Sequence, residues 1–181
     1  MPKGAYDRII TGLLGVTLIA LVWMLVGHGT GGGAVKNPDV LDKARERAMA
    51  YQARLELLRK LYGSVESLRS TGDFQSALFK LDELNRAYPQ EAHGYILKGE
   101  ILNGMGALDE ALANFVAGVR LNGDYVDGKS PLSRRLEIEK VADEGLRVIG
   151  TRVRANPENR SAAVALKNVY YLKSRLAGGC E

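Results

Sequence analysis

The chain has 181 residues, of which 46% are hydrophobic and 25% are charged, and its net charge is +4. This composition fits one ordinary globular domain plus a short extra segment, and it does not force disorder. Basic side chains are interleaved with acidic ones instead of forming a tract, which argues against a nucleic-acid partner. Cys180 is the only cysteine, so an intrachain disulfide and a paired-cysteine zinc site are excluded.

The first element in chain order is an uncharged apolar run of eighteen residues, 9–26. At a rise of about 1.5 Å per residue, a helix of this length covers roughly 27 Å, close to the hydrocarbon core of about 30 Å. We therefore predict that 1–27 forms a short cytoplasmic tail and a single transmembrane helix in contact with the lipid bilayer. Anchor positions in this helix are Ile9, Leu13, Leu18, Trp23 and Val26.

Two other interpretations of the apolar run are a cleavable signal peptide and a buried core helix. Lys3 and Arg8 precede the run, as in a signal peptide, but the run exceeds the usual apolar length of about 7–15 residues and no A-x-A site follows. The run also lacks the polar face of a core helix, so a retained anchor is favoured. The same two bases favour a cytoplasmic N-terminus, although Lys36 and Lys43 lie close to the other end.

Residues 28–38 form a predicted linker, because four of the five residues in Gly29–Gly33 are glycine. Each glycine disfavours helix by about 1 kcal/mol relative to alanine. Beyond the linker, apolar residues recur every three or four positions between Leu41 and Leu68, which predicts a long amphipathic helix.

A period of 34 residues follows. It relates Gly72 to Gly106 and Ala77 to Ala111. The glycines predict turns between paired helices, and the alanines predict positions where two helices cross closely. Pro89 predicts a helix end, since proline cannot donate the next backbone hydrogen bond.

These residues resemble the tetratricopeptide repeat family, whose units carry an aromatic residue, a small residue, a turn glycine, an alanine and a terminal proline. The range 58–91 matches in its second half, and the range 92–125 matches best, through Tyr95, Gly99, Gly106, Ala111 and Phe115. The resemblance implies an all-α fold, in which an α-solenoid of antiparallel helix pairs occupies 39–177 after the single transmembrane helix.

A third unit, 126–159, departs from the pattern. Asn122–Pro131 is rich in turn residues, and Gly145 stands at the alanine position. We predict two helices here, Leu132–Lys140 and Val141–Ala155, and then a closing helix over 160–176. The turn-rich segment is also a candidate contact surface.

The resemblance further implies a partner-binding groove along the first helix of each unit. Glu66 and Glu100 would repel a carboxylate there, which disfavours a receptor for C-terminal tails. The same positions can equally be solvated side chains without a partner. The candidate groove residues are Arg59, Tyr62, Glu66, Arg69, His93, Ile96, Glu100 and Asn103.

The chain contains no nucleophile–base set, phosphate-binding loop or dinucleotide motif. We therefore expect neither an enzyme nor a cofactor- or metal-binding protein. The predicted function is that of a scaffold or assembly factor for envelope or respiratory proteins, with other proteins as partners. It would be a single-pass protein of the bacterial inner membrane with its repeats in the periplasm. The alternatives are a stoichiometric accessory subunit of a large membrane complex and an organellar import receptor.

Overall fold

A computed structural model of the protein describes residues 38–178, with side chains described from residue 42 onwards. The predicted anchor over 9–26, residues 28–37 of the linker and Cys180 lie outside the described residues. Within 38–178 every regular element is helical, which confirms the all-α prediction. No helix in this part of the chain is long and apolar enough to span a membrane.

The described helices follow one another with short connections. Residue contacts divide the chain after Ala48, and the helical core described below belongs to the unit that starts at Met49. The helices are α1 (Pro38–Ser70), α2 (Phe74–Ala87), α3 (Ala92–Gly104), α4 (Leu108–Leu121), α5 (Arg135–Ala155) and α6 (Arg160–Leu176), with a 3-10 turn at Gly123–Tyr125. Three-residue connections join α1 to α2 and α3 to α4, so the members of each pair run antiparallel.

The turns after α1 and α3 are built in the same way, 34 residues apart. Gly72 and Gly106 both have a φ of +79°. In each turn the glycine N–H donates to the carbonyl three residues earlier, and the next N–H donates to the carbonyl five residues before it. This is the Schellman arrangement, which satisfies carbonyls at a helix end. A side chain in this left-handed conformation costs about 1–2 kcal/mol, which explains why glycine recurs here.

One hydrophobic core joins all six helices. Ala77 and Ala111 are fully buried, as expected for positions where helices cross closely. The Phe115 ring lies against Gly99, where an added Cβ would come within 3.0 Å of the ring. The approach of α3 to α4 therefore depends on the missing side chain at Gly99.

The apolar stripe of α1 is buried only in part. Leu58, Tyr62 and Val65 lie in the core. Ala44 and Ala48, on the same predicted stripe, are exposed. The sequence pattern therefore identified the helix correctly, but among its described side chains those that pack against the core begin at Tyr51.

The third unit differs from the prediction. A single helix, α5, runs without a break over Arg135–Ala155, where two helices had been expected. No turn residue lies at the junction of Lys140 and Val141. The helix therefore continues through the junction, because each added residue forms a further backbone hydrogen bond. Helix α6 packs against both α4 and α5, and it buries Val169 and Leu172.

We predict that Gly106→Ala destabilises the fold by about 1–2 kcal/mol, because alanine is strained at a φ of +79° although space for its Cβ is open. Urea unfolding of the full chain in detergent, followed by circular dichroism, measures the change. The matched control is Gly63→Ala, also in open space but inside α1, where it should stabilise by up to about 1 kcal/mol. Equal effects of both substitutions would contradict this account of the turn.

Candidate functional site

The eight candidate groove residues fall into different environments. Tyr62 and Ile96 are fully buried, and His93 is 5% exposed. These three side chains pack the interior instead of lining an accessible groove, because a partner could reach them only by opening the core. Arg59 is exposed, and Glu66, Arg69 and Asn103 are partly exposed, whereas the side chain of Glu100 is largely buried.

Residues 122–134, which we call the strap, connect α4 to α5. The turn-rich part of the strap was a candidate contact surface, and within the described structure it contacts α1 and α3 of its own chain. Tyr51 Oη donates to Asp124 Oδ2 at 3.2 Å and lies 2.6 Å from Ser130 Oγ. Tyr125 is fully buried and its Oη lies 2.9 Å from His93 Nδ1. The strap is thus fixed to two helices by side-chain hydrogen bonds.

His93 lies between the rings of Tyr62 and Tyr125, at centroid distances of 5.0 and 6.0 Å. Burial, and to a smaller extent the positive charges of neighbouring arginines, lower the pKa of His93 to about 4. The imidazole is therefore neutral at neutral pH. Glu66 Oε1 lies 3.7 Å from His93 Nε2, and the pair is not an ion pair while the ring is neutral.

Glu100 is held between two arginines. Its side chain is 7% exposed, and its oxygens lie 3.1 Å from Arg69 Nη1 and 3.1 Å from Arg134 Nε. Burial raises the pKa of Glu100, and the two guanidinium groups oppose that shift. Arg134 Nη2 also lies 3.9 Å from Glu66 Oε1. The three charged groups Arg69, Glu100 and Arg134 form what we call the arginine–glutamate triad.

Arg134 was not among the predicted groove residues, although the sequence contained a signal for it. Glu66, Glu100 and Arg134 stand at successive intervals of 34, so they occupy one repeat position in three units. The prediction stopped after two units because the third departs from the repeat pattern. Extending the period by one unit would have identified Arg134, and from Arg69 and Asn103 it would also have reached Glu137.

A pocket of about 460 Å³ opens beside the arginine–glutamate triad. Two repeat positions supply much of its lining, one through Glu100 and Arg134 and the other through Arg69, Asn103 and Glu137. The pocket carries three cationic and two anionic side chains, a net charge of one positive. Its lining residues are Arg69, Glu100, Asn103, Phe115, Arg134, Glu137, Lys140 and Val141.

No protein-family model matches the chain, and no curated protein matches its sequence. The tetratricopeptide resemblance therefore stays a prediction. Within the described residues, no group of three or more His, Cys, Asp or Glu side chains is arranged to hold a metal ion.

We predict that His93 makes the fold acid-sensitive. Its folded pKa is about 4 against an ordinary value of 6.5, so between these values the folded state binds fewer protons than the unfolded state. Stability should therefore fall by up to roughly 3 kcal/mol as the pH falls from 6.5 to 4.

Urea unfolding of the full chain at several pH values between 4 and 7 tests this, with His93→Gln as the matched variant. The variant should be less stable at pH 7, but its stability should change less over the same pH range. Parallel pH profiles for the two chains would show that His93 does not carry the effect.

Proposed function

We propose that the chain is a membrane-anchored module for protein–protein interaction, with a tetratricopeptide-like α-solenoid as its binding part. In this proposal it serves as a scaffold or assembly factor for envelope or respiratory proteins. The apolar run over 9–26 would hold it in a bacterial inner membrane, with the helical part in the periplasm.

The observation that carries the proposal is the pocket beside the triad. Equivalent positions of successive 34-residue units meet in it, since Glu100 and Arg134 share one position and Arg69, Asn103 and Glu137 share another. A surface on which repeated positions converge suits recognition of another chain along the repeat axis.

The chemistry of the pocket supports a protein partner. Its lining combines charged and amide side chains with the Phe115 ring and Val141, and its volume suits one or two side chains of a partner rather than a whole domain. A few oriented polar groups beside apolar ones are typical of sites that fix the orientation of what they bind.

The test is gentle detergent extraction of the native protein from membranes, followed by size separation and mass spectrometry. The full chain should sediment with membranes and co-migrate with sub-stoichiometric partner proteins. A chain that lacks 9–26 should be lost from the membrane fraction. Migration as a lone species under gentle extraction would contradict the proposal, whereas a fixed-ratio set would favour the accessory-subunit alternative.

A further inference from the structure

We infer that the start of α1 is a docking face for an acidic, amphipathic helix of a partner protein. The face, which we call the basic face, consists of Lys43, Ala44, Arg45, Arg47 and Ala48, and all five side chains are exposed. None of these residues lines the pocket beside the triad. The basic face is therefore a second surface, and it does not depend on what the pocket binds.

The two alanines of the basic face continue the apolar stripe of α1. Apolar residues recur along this stripe at spacings that alternate between four and three, which is the heptad pattern of helices that pack side by side. The members of the stripe are Ala44, Ala48, Tyr51, Leu55, Leu58, Tyr62 and Val65. The last three lie in the core, whereas the two alanines keep the pattern but are not covered by the described residues.

Charges of opposite sign lie on opposite sides of this part of α1. At about 3.6 residues per turn, Lys43 and Arg47 lie on one side of the two alanines and Arg45 lies on the other. Asp42 and Glu46 lie together on the opposite face of the helix. Residues four apart are neighbours on a helix surface, so the two acids form one row of like charge and two of the bases form another.

The three bases are not compensated by the chain itself. Among the side chains described from residue 42 onwards, none of the three takes part in an ion pair, although each acid lies three residues from a base. The bases flank the alanines, and the acids point away from them. The field at the two alanines is therefore positive.

Arg54 shows which partner such a base takes in this fold. It lies seven residues after Arg47, at the same heptad position, and it donates to both carboxylate oxygens of Glu91 at 2.9 and 3.1 Å. Glu91 caps the start of α3. Flanking residues of packed heptad helices pair with opposite charges on the facing helix, and this pairing sets partner choice. An acidic helix would give Arg47 the kind of partner that Arg54 already has.

Two other occupants fit the basic face less well. A second copy of this chain would bring three more bases to the same seam, where like charges repel. An anionic lipid surface would attract the bases, but helices that lie in a membrane interface insert large apolar residues such as tryptophan, phenylalanine or leucine. Alanine at both central positions instead lets two helix backbones approach closely.

The test uses the full chain in neutral detergent and a fluorescent helical peptide of about three heptads, with leucine at positions a and d and glutamate at e and g. Fluorescence anisotropy measures binding. The glutamate peptide should bind at least about tenfold more tightly than the same peptide with lysine at e and g, because opposite charges then meet beside the seam.

Ala48→Glu should weaken binding of the glutamate peptide by about tenfold or more, since it places a carboxylate in the seam. The same change at Ala53, which is also exposed but lies on the far side of α1, is the matched control and should leave the affinity unchanged. Arg45→Glu and Arg47→Glu in one chain should invert the preference between the two peptides.

No binding of the glutamate peptide, or equal binding of the two peptides, would overturn the inference. So would equal losses from Ala48→Glu and Ala53→Glu. A dimer of the full chain that Ala48→Glu dissociates in sedimentation velocity would assign the face to a second copy instead. Slower hydrogen exchange of 42–50 in phosphatidylglycerol than in phosphatidylcholine nanodiscs, without peptide binding, would assign it to lipid.

Discussion

A carboxylate buried between helices is unstable unless cations and hydrogen bonds compensate for the water it has lost. Glu100 on α3 is in that situation, and Arg69 on α1 and Arg134 in the strap compensate for it. The two arginines come from segments far apart in the chain. The ion pairs of this one carboxylate therefore link α1, α3 and the start of α5, which also pack in one hydrophobic core, and the linked residues line the pocket.

A second polar cluster fixes the strap on the same helices. Tyr51 meets the strap at Asp124 and Ser130, while the buried pair of His93 and Tyr125 joins it to α3. Polar contacts have directional requirements that apolar packing lacks, so they select one position for the strap, which outside its 3-10 turn has no regular secondary structure. Arg134 lies at the end of this segment, and its place in the pocket depends on how the strap is held.

Within the described residues, the all-α class and most of the helices could be predicted from the sequence, and the reasons are local. The turns at Gly72 and Gly106 require a left-handed residue, so glycine recurs wherever the turn does. Ala77 and Ala111 are fully buried where helices cross. The continuous α5 was missed because the repeat pattern suggested a break that no residue near Lys140 enforces.

The site was harder to predict, because exposure depends on tertiary packing. Tyr62 and Ile96 stand at groove positions of the repeat pattern, yet both side chains are fully buried. Glu100 lies between Arg69 and Arg134, and its hydrogen bond from Arg134 joins residues 34 positions apart. The 34-residue spacing thus identified backbone positions that lie close together. The charge at these positions depends on the ion-pair partners of each side chain, and the spacing alone does not show those partners.

The central claim is that a partner binds at the pocket where the repeat positions converge. The most direct measurement is site-specific photo-crosslinking in native membranes, with the photoreactive residue placed at Asn103 in the pocket or at Tyr170, which is 57% exposed on α6. Adducts with a partner protein from Asn103 and none from Tyr170 are the predicted result. Adducts from Tyr170 alone, or from neither position, would contradict it.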